Sequence, residues 1–214
     1  MKKLTHFTPS YVHIRTAPDA PEAESRTIEG YAIIFNTLSL PFYADGEEDV
    51  REQISPEAIS PELLESSDIQ MTMNHDFSQL LARSKRGKGT LQYEVDSKGV
   101  RFQFDAPHTP DGDKALELVR RGDIDGCSFM FTTQYDNTDY VEPTTQDDTE
   151  TGNRTTIYTI KKITGIYDFT LTAMPAYPDT EVSARGLNLA KAPTASPYKK
   201  QVADMRSHAH TALM

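Results

Sequence analysis

The sequence predicts a mainly β domain with a few α-helices, and three stretches carry that reading. Ile69, Met71 and Met73 alternate with Gln70, Thr72 and Asn74, the period of a half-buried strand. Leu91, Tyr93 and Val95 precede Asp96-Ser97-Lys98-Gly99, and Val100, Phe102 and Phe104 follow it, so both arms of a hairpin alternate around a glycine-bearing loop. Cys127, Phe129 and Phe131 alternate with Ser128, Met130 and Thr132, which sets Cys127 and Ser128 on opposite sides of a regular strand.

The remaining elements follow in chain order. Residues 1–26 form a polar lead-in with Pro18 and Pro21, and the folded domain is expected to begin near residue 27. Residues 27–36 are rich in β-formers and contain Gly30, which predicts a strand with a bulge. Residues 55–67 repeat a Ser-Pro-Glu start, serine serving as cap and proline as first helical residue, so two short helical turns are expected. His75 continues the phase of Ile69, Met71 and Met73 and is expected on their apolar face. Thr109-Pro110-Asp111 opens a helix with Ala115, Leu116, Leu118 and Val119 as its apolar positions and Gly122 at its end. Arg120 and Arg121 fall in its last turn, where the helix dipole favours positive charge.

Residues 136–152 hold six acidic residues, no lysine or arginine and many threonines, the composition of a solvated loop or hairpin extension placed to act as a flap. Strand chemistry resumes over 154–162 and 166–173. Over 186–214 the chain turns to Ala, Pro, Ser, Thr and Lys without apolar periodicity, the pattern of a flexible tail, with Lys191, Lys199, Lys200 and Arg206 against Asp204.

Composition narrows the function. The 214 residues include 22 basic and 32 acidic ones, a formal charge of −10, which argues against a partner bound through its phosphates and for a protein or peptide partner. Cys127 is the only cysteine, so no intrachain disulfide and no Cys-x-x-Cys metal site is expected. Residues 1–6 include two lysines but not the apolar stretch of a secretion signal, and no apolar run approaches the roughly 20 residues that cross a bilayer. His208 and His210 have metal-like spacing but no third ligand in their segment, and no cofactor or metal is expected.

Peptide hydrolysis by a serine needs a hydroxyl, an imidazole to take its proton, and a group that orients the imidazole and supports its charge. Several separated segments supply such groups in order. Glu29-Gly30-Tyr31-Ala32 with Phe35-Asn36, then Ile54-Ser55-Pro56-Glu57-Ala58, lead to Asn74-His75-Asp76, followed by Leu81-Ala82-Arg83 and Gly89-Thr90-Leu91. Leu118-Val119-Arg120-Arg121-Gly122-Asp123 leads into Gly126-Cys127-Ser128-Phe129-Met130-Phe131, and Asp168-Phe169-Thr170-Leu171-Thr172-Ala173-Met174-Pro175-Ala176-Tyr177-Pro178 closes the series. In this order the segments resemble the HK97-type phage prohead serine proteases over residues 27–185.

The resemblance implies a herpesvirus-protease-like β-barrel surrounded by helices, with Ser128 as nucleophile, His75 as general base and Asp168 as the supporting carboxylate. Asp168 stands where the family more often has glutamate. Asp76 is the rival carboxylate, but its place next to His75 on a strand would turn it to the other side. Arg83 is a candidate oxyanion or orienting residue, with a surface ion pair as the alternative. Cys127 is a chemically able nucleophile that the family pattern assigns to the core. The resemblance further implies action inside the assembling procapsid in the host cytoplasm, on the scaffold segment of the major capsid protein and on the protease itself, with self-association, and without nucleic-acid or membrane partners. The alternatives are a catalytically inactive, protease-derived scaffold or assembly module, and a host peptidase unrelated to capsids.

Overall fold

Two short strands lie ahead of residue 27, inside the polar lead-in: β1 (Leu4–His6) and β2 (Val12–Arg15). Neither has the length to announce itself by alternation, and each is held by its neighbour, Leu4 opposite Phe131 and Val12 opposite Gly30. The computed structural model describes residues 4–6, 12–15, 25–41, 43–44, 48–147 and 154–173. The expected tail at 186–214, His208 and His210, the tip of the acidic segment at 148–153 and the end of the last motif at 174–178 lie outside the described residues.

The next strand, β3 (Thr27–Ile34), carries the expected bulge, but at Ala32 rather than Gly30. Val100 faces Ile33 while Arg101 faces Tyr31, so Ala32 is the residue without an opposite number. A bulge needs an extra residue, not a glycine. After β4 (Tyr43–Ala44) and β5 (Glu48–Ile54) come the two expected helical turns, a 3-10 turn at Pro56–Ala58 and α1 (Pro61–Ser66). The Ser60 hydroxyl accepts the Leu63 N–H at 3.2 Å and caps α1, whereas Ser55 makes no such bond.

The chain continues through β6 (Asp68–Met73), β7 (Ala82–Lys85), β8 (Lys88–Gly89), β9 (Gln92–Val95) and β10 (Gly99–Asp105). The β9–β10 hairpin is the predicted one, its loop tied by Asp96 Oδ1, which accepts the N–H groups of Lys98 and Gly99 at 2.7 and 2.9 Å. In α2 (Pro110–Arg120) Ala115, Leu116 and Val119 are buried as expected and Leu118 only partly. Gly122 at φ 73° lets its own N–H reach the Val119 carbonyl and the Asp123 N–H reach that of Leu118, at 3.1 and 2.9 Å. Those two bonds are the Schellman stop that a glycine just beyond a helix provides.

The last strands are β11 (Gly126–Thr132), β12 (Val141–Asp147), β13 (Arg154–Ile160) and β14 (Gly165–Thr172). The acidic segment thus supplies an arm, β12, paired antiparallel with β13 and exposed on both sides beyond Val141.

These strands form a six-stranded sheet in the order β1-β11-β14-β6-β7-β8 and two four-stranded sheets, β2-β3-β10-β9 and β12-β13-β5-β4. β14 with β6 and β13 with β5 are the parallel pairs. The fold is mainly β with two α-helices among the described residues, and there no pairing closes a sheet on itself. One core joins the sheets. The rings of Phe102 on β10 and Phe169 on β14 meet at 6.4 Å, and a bridge between Phe35 and Ile54 ties the end of β3 to β5.

Candidate active site

Three neighbouring strands of the six-stranded sheet carry the site. Ser128 on β11 lies opposite Thr170 on β14, and Thr170 lies opposite Thr72 on β6. Residues in register share a face, so three hydroxyl side chains stand in a row, roughly 4.8 Å from strand to strand. Asp168, two residues before Thr170, emerges on the same face opposite Met130 and Gln70. Immediately beside it the register slips: Met130 pairs with Asp168 but Phe131 with Ile166, which makes Tyr167 a bulge.

His75 reaches this face by a turn, not by strand phase. Alternation along β6 would set it with Met71 and Met73 in the core, and the structure corrects that expectation. The strand stops at Met73, and Asn74 and His75 both take left-handed backbone, φ 51° and 59°, with the Asp76 N–H returning to the Met73 carbonyl at 2.9 Å. Two successive positive φ values at the centre of a four-residue turn reverse the chain tightly. Asn and His enter the left-handed region more readily than most residues with a side chain, but the conformation still costs energy that its surroundings must offset. The reversal swings the imidazole over the row of hydroxyls.

The contacts form a continuous chain. His75 Nε2 is 3.1 Å from Ser128 Oγ, and Nδ1 is 3.2 and 3.0 Å from the two Asp168 carboxylate oxygens. A carboxylate can only accept, so the proton sits on Nδ1 and the lone pair of Nε2 faces the serine hydroxyl, which donates to it. Thr72 Oγ lies 3.0 Å from Asp168 Oδ2 and 2.9 Å from Thr170 Oγ, and Thr170 Oγ accepts the backbone N–H of His75 at 2.9 Å. Thr72, Ser128, Asp168 and Thr170 have no solvent exposure, whereas the His75 side chain keeps 15 %. A buried carboxylate is tolerable only when its oxygens are bonded, and here the imidazole and Thr72 do this.

The other candidates fall elsewhere. Asp76 points away into a loop of its own, accepting the Ser78 hydroxyl at 2.6 Å, the Gln79 amide at 2.8 Å and the Ser78 N–H at 2.9 Å. Those donors, the Ser78 hydroxyl foremost, pull its carboxyl down to about 2. Arg83 pairs with Gln70 and so shares the face of Asp168, but its guanidinium grips the exposed Asp68 through two bonds of 2.7 and 2.6 Å. The two side chains form a surface ion pair. Cys127 faces the core, fully buried opposite Leu171. Among the described residues no group of three His, Cys, Asp or Glu stands together as a metal site, and no helix is long and apolar enough to cross a membrane.

Thr72 and Thr170 were not singled out from the sequence. The signal for them is the phase of Ser128 and Asp168: in strands whose alternate residues are Phe169, Leu171, Met71 and Met73, a threonine between them is on the site's face.

A hydroxyl bonded to an imidazole whose other nitrogen meets a buried carboxylate is the arrangement on which serine hydrolases are built. Over residues 13–193 the chain matches the family model of the caudovirus prohead serine proteases, and it belongs to that family. No curated protein and no solved structure matches it.

Proposed function

We propose that the chain is a serine endopeptidase of phage capsid maturation, with Ser128 as nucleophile, His75 as general base and Asp168 as the carboxylate that holds His75. The observation that carries this reading is the unbroken chain from Ser128 Oγ through both nitrogens of His75 to Asp168. As Ser128 Oγ attacks a substrate carbonyl carbon, its proton passes to Nε2, and the resulting imidazolium is stabilised by the Asp168 charge at Nδ1. The same proton then leaves on the amine as the peptide bond breaks, giving an acyl-serine that water hydrolyses by the reverse route. This reading assigns Arg83 no role and leaves it to its ion pair with Asp68.

In this reading the substrates are the scaffold segment of the major capsid protein and the protease itself, and the place of action is the assembling procapsid in the host cytoplasm. Family membership supports those partners, and it is also the ground for reading the three sheets as a herpesvirus-protease-like arrangement. An inactive assembly module of the same fold would have no need for three competent groups in hydrogen-bond contact.

Co-expression with the cognate major capsid protein, followed by intact-mass analysis, tests the proposal. The capsid protein should lose a defined segment with the wild-type chain and keep it with Ser128→Ala. Uncleaved capsid protein in wild-type particles would favour the inactive module.

A further inference from the structure

The bonds around Asp168 close on themselves. Starting at the backbone of His75, its N–H donates to Thr170 Oγ, Thr170 lies 2.9 Å from Thr72, Thr72 lies 3.0 Å from Asp168 Oδ2, and that oxygen is 3.0 Å from Nδ1 of the same histidine. The Thr72 hydroxyl is placed as donor to both of its neighbours, its one proton lying between Asp168 Oδ2 and Thr170 Oγ, and Thr170 Oγ accepts there and from the His75 N–H. Thr72 thus joins the oxygen that holds the His75 backbone to the carboxylate that holds its ring.

Resting on the catalytic reading of Ser128, His75 and Asp168, we infer that Thr72 and Thr170 are positioning residues, a two-hydroxyl relay that locks the left-handed backbone of His75 to the carboxylate its own ring binds. The relay addresses two problems at once. His75 sits at φ 59°, a conformation that persists only where surrounding bonds over-determine it, and Thr170 supplies such a bond at the very residue. Asp168 is wholly buried, and Thr72 gives it a donor besides the imidazole. Because both threonines sit inside the sheet, in register with one another, the relay is as rigid as the strands. The ordinary role of such threonines is strand packing, which makes no use of the hydroxyl.

Valine keeps the shape and removes the hydroxyl, and serine does the reverse. In Thr72→Val the limiting rate of Ser128 phosphonylation by a small fluorophosphonate should fall about tenfold to a hundredfold, the loss of one bond to a charged partner, and in Thr170→Val about threefold to tenfold, the loss of a neutral one, with the half-saturating concentration unchanged in both. The double valine variant should be no slower than the slower single one, because one break opens the ring. Thr72→Ser and Thr170→Ser should label at the wild-type rate, and they decide the matter if the valine variants do not fold, since a packing role predicts a loss there. A folded valine variant that labels at full rate, losses that multiply in the double variant, or slowed serine variants would overturn the relay. Proton NMR of the His75 ring is the second readout and needs no chemistry at Ser128: the Nδ1–H should exchange slowly with solvent in the wild type and faster in both valine variants. Failure of the wild type to label, with that proton still protected, would count against the catalytic reading and leave the relay standing.

Discussion

The two faces of the sheet formed by β11, β14 and β6 both carry fully buried side chains, yet they are filled by opposite chemistry. On one, Cys127, Phe129 and Phe131, with Phe169, Leu171, Met71 and Met73, make an apolar core in which the rings of Phe129 and Phe131 stack at 5.1 Å. On the other, one pleat away along the same strands, Ser128, Thr170, Asp168 and Thr72 are just as buried and are joined by hydrogen bonds. The core face gains from area removed from water and from dispersion, and tolerates any well-fitting apolar set. The polar face is stable only while each group has its partner, because an orphaned polar atom there bears its full desolvation penalty. Changes on the first face should therefore be read in stability alone, and changes on the second in chemistry first, with a stability cost where a buried partner is orphaned.

Four substitutions sharpen or break that division. Ser128→Ala should have the largest effect, lowering turnover on the order of a millionfold, as loss of a serine nucleophile does, with the melting transition little changed. Next, Asp168→Asn should keep the fold and substrate affinity while lowering kcat about ten-thousandfold, since the amide no longer holds the imidazole in the working tautomer. Comparable losses from Asp76→Asn would move the supporting role to Asp76. On the core face, Phe129→Ala should cost about 3–5 kcal/mol in denaturant unfolding and leave kcat per folded molecule unchanged.

The smallest effect is a pH dependence. The Asp76 carboxyl is held at about 2, below the ordinary value of about 4, so its folded form binds the proton less readily than the unfolded chain does. Its contribution is thus fully present above about pH 4 and is lost as pH falls through about 2. A comparison of wild type with Asp76→Asn by thermal melts across that window should show the gap between them narrowing toward the acid end. A gap that widened on acidification would contradict the bonding assigned to Asp76.

How much of this was legible beforehand depends on which physical rule governs each piece. The strand phase of β11 was readable because alternation is fixed by backbone geometry, and it separated Cys127 from Ser128 correctly. The β9–β10 hairpin and the caps of α1 and α2 were readable for the same reason, each being a local preference of a few adjacent residues. His75 was not placed correctly by phase, because alternation holds only while the strand lasts, and a left-handed turn without glycine is only weakly marked, here by Asn74. The strands β1 and β2 escaped notice because three- and four-residue segments are stabilised by their partners and not by their own pattern. The relay of Thr72 and Thr170 depends on a parallel pairing of strands about a hundred residues apart, which no local rule supplies. Motif order found the serine, histidine and carboxylate, while register alone shows what lies between them.

The most direct test sets two neighbours against each other. Ser128 and Cys127 are adjacent in sequence, equally buried and both capable nucleophiles, and differ only in the face they occupy. Purified Ser128→Ala and Cys127→Ala proteins, each checked for folding, would be incubated with a fluorophosphonate and with the capsid protein, and the products mapped by mass spectrometry. The division of faces predicts that Cys127→Ala is labelled at Ser128 and cleaves the capsid protein, while Ser128→Ala does neither. Cleavage surviving in Ser128→Ala, or lost in a folded Cys127→Ala, would contradict it.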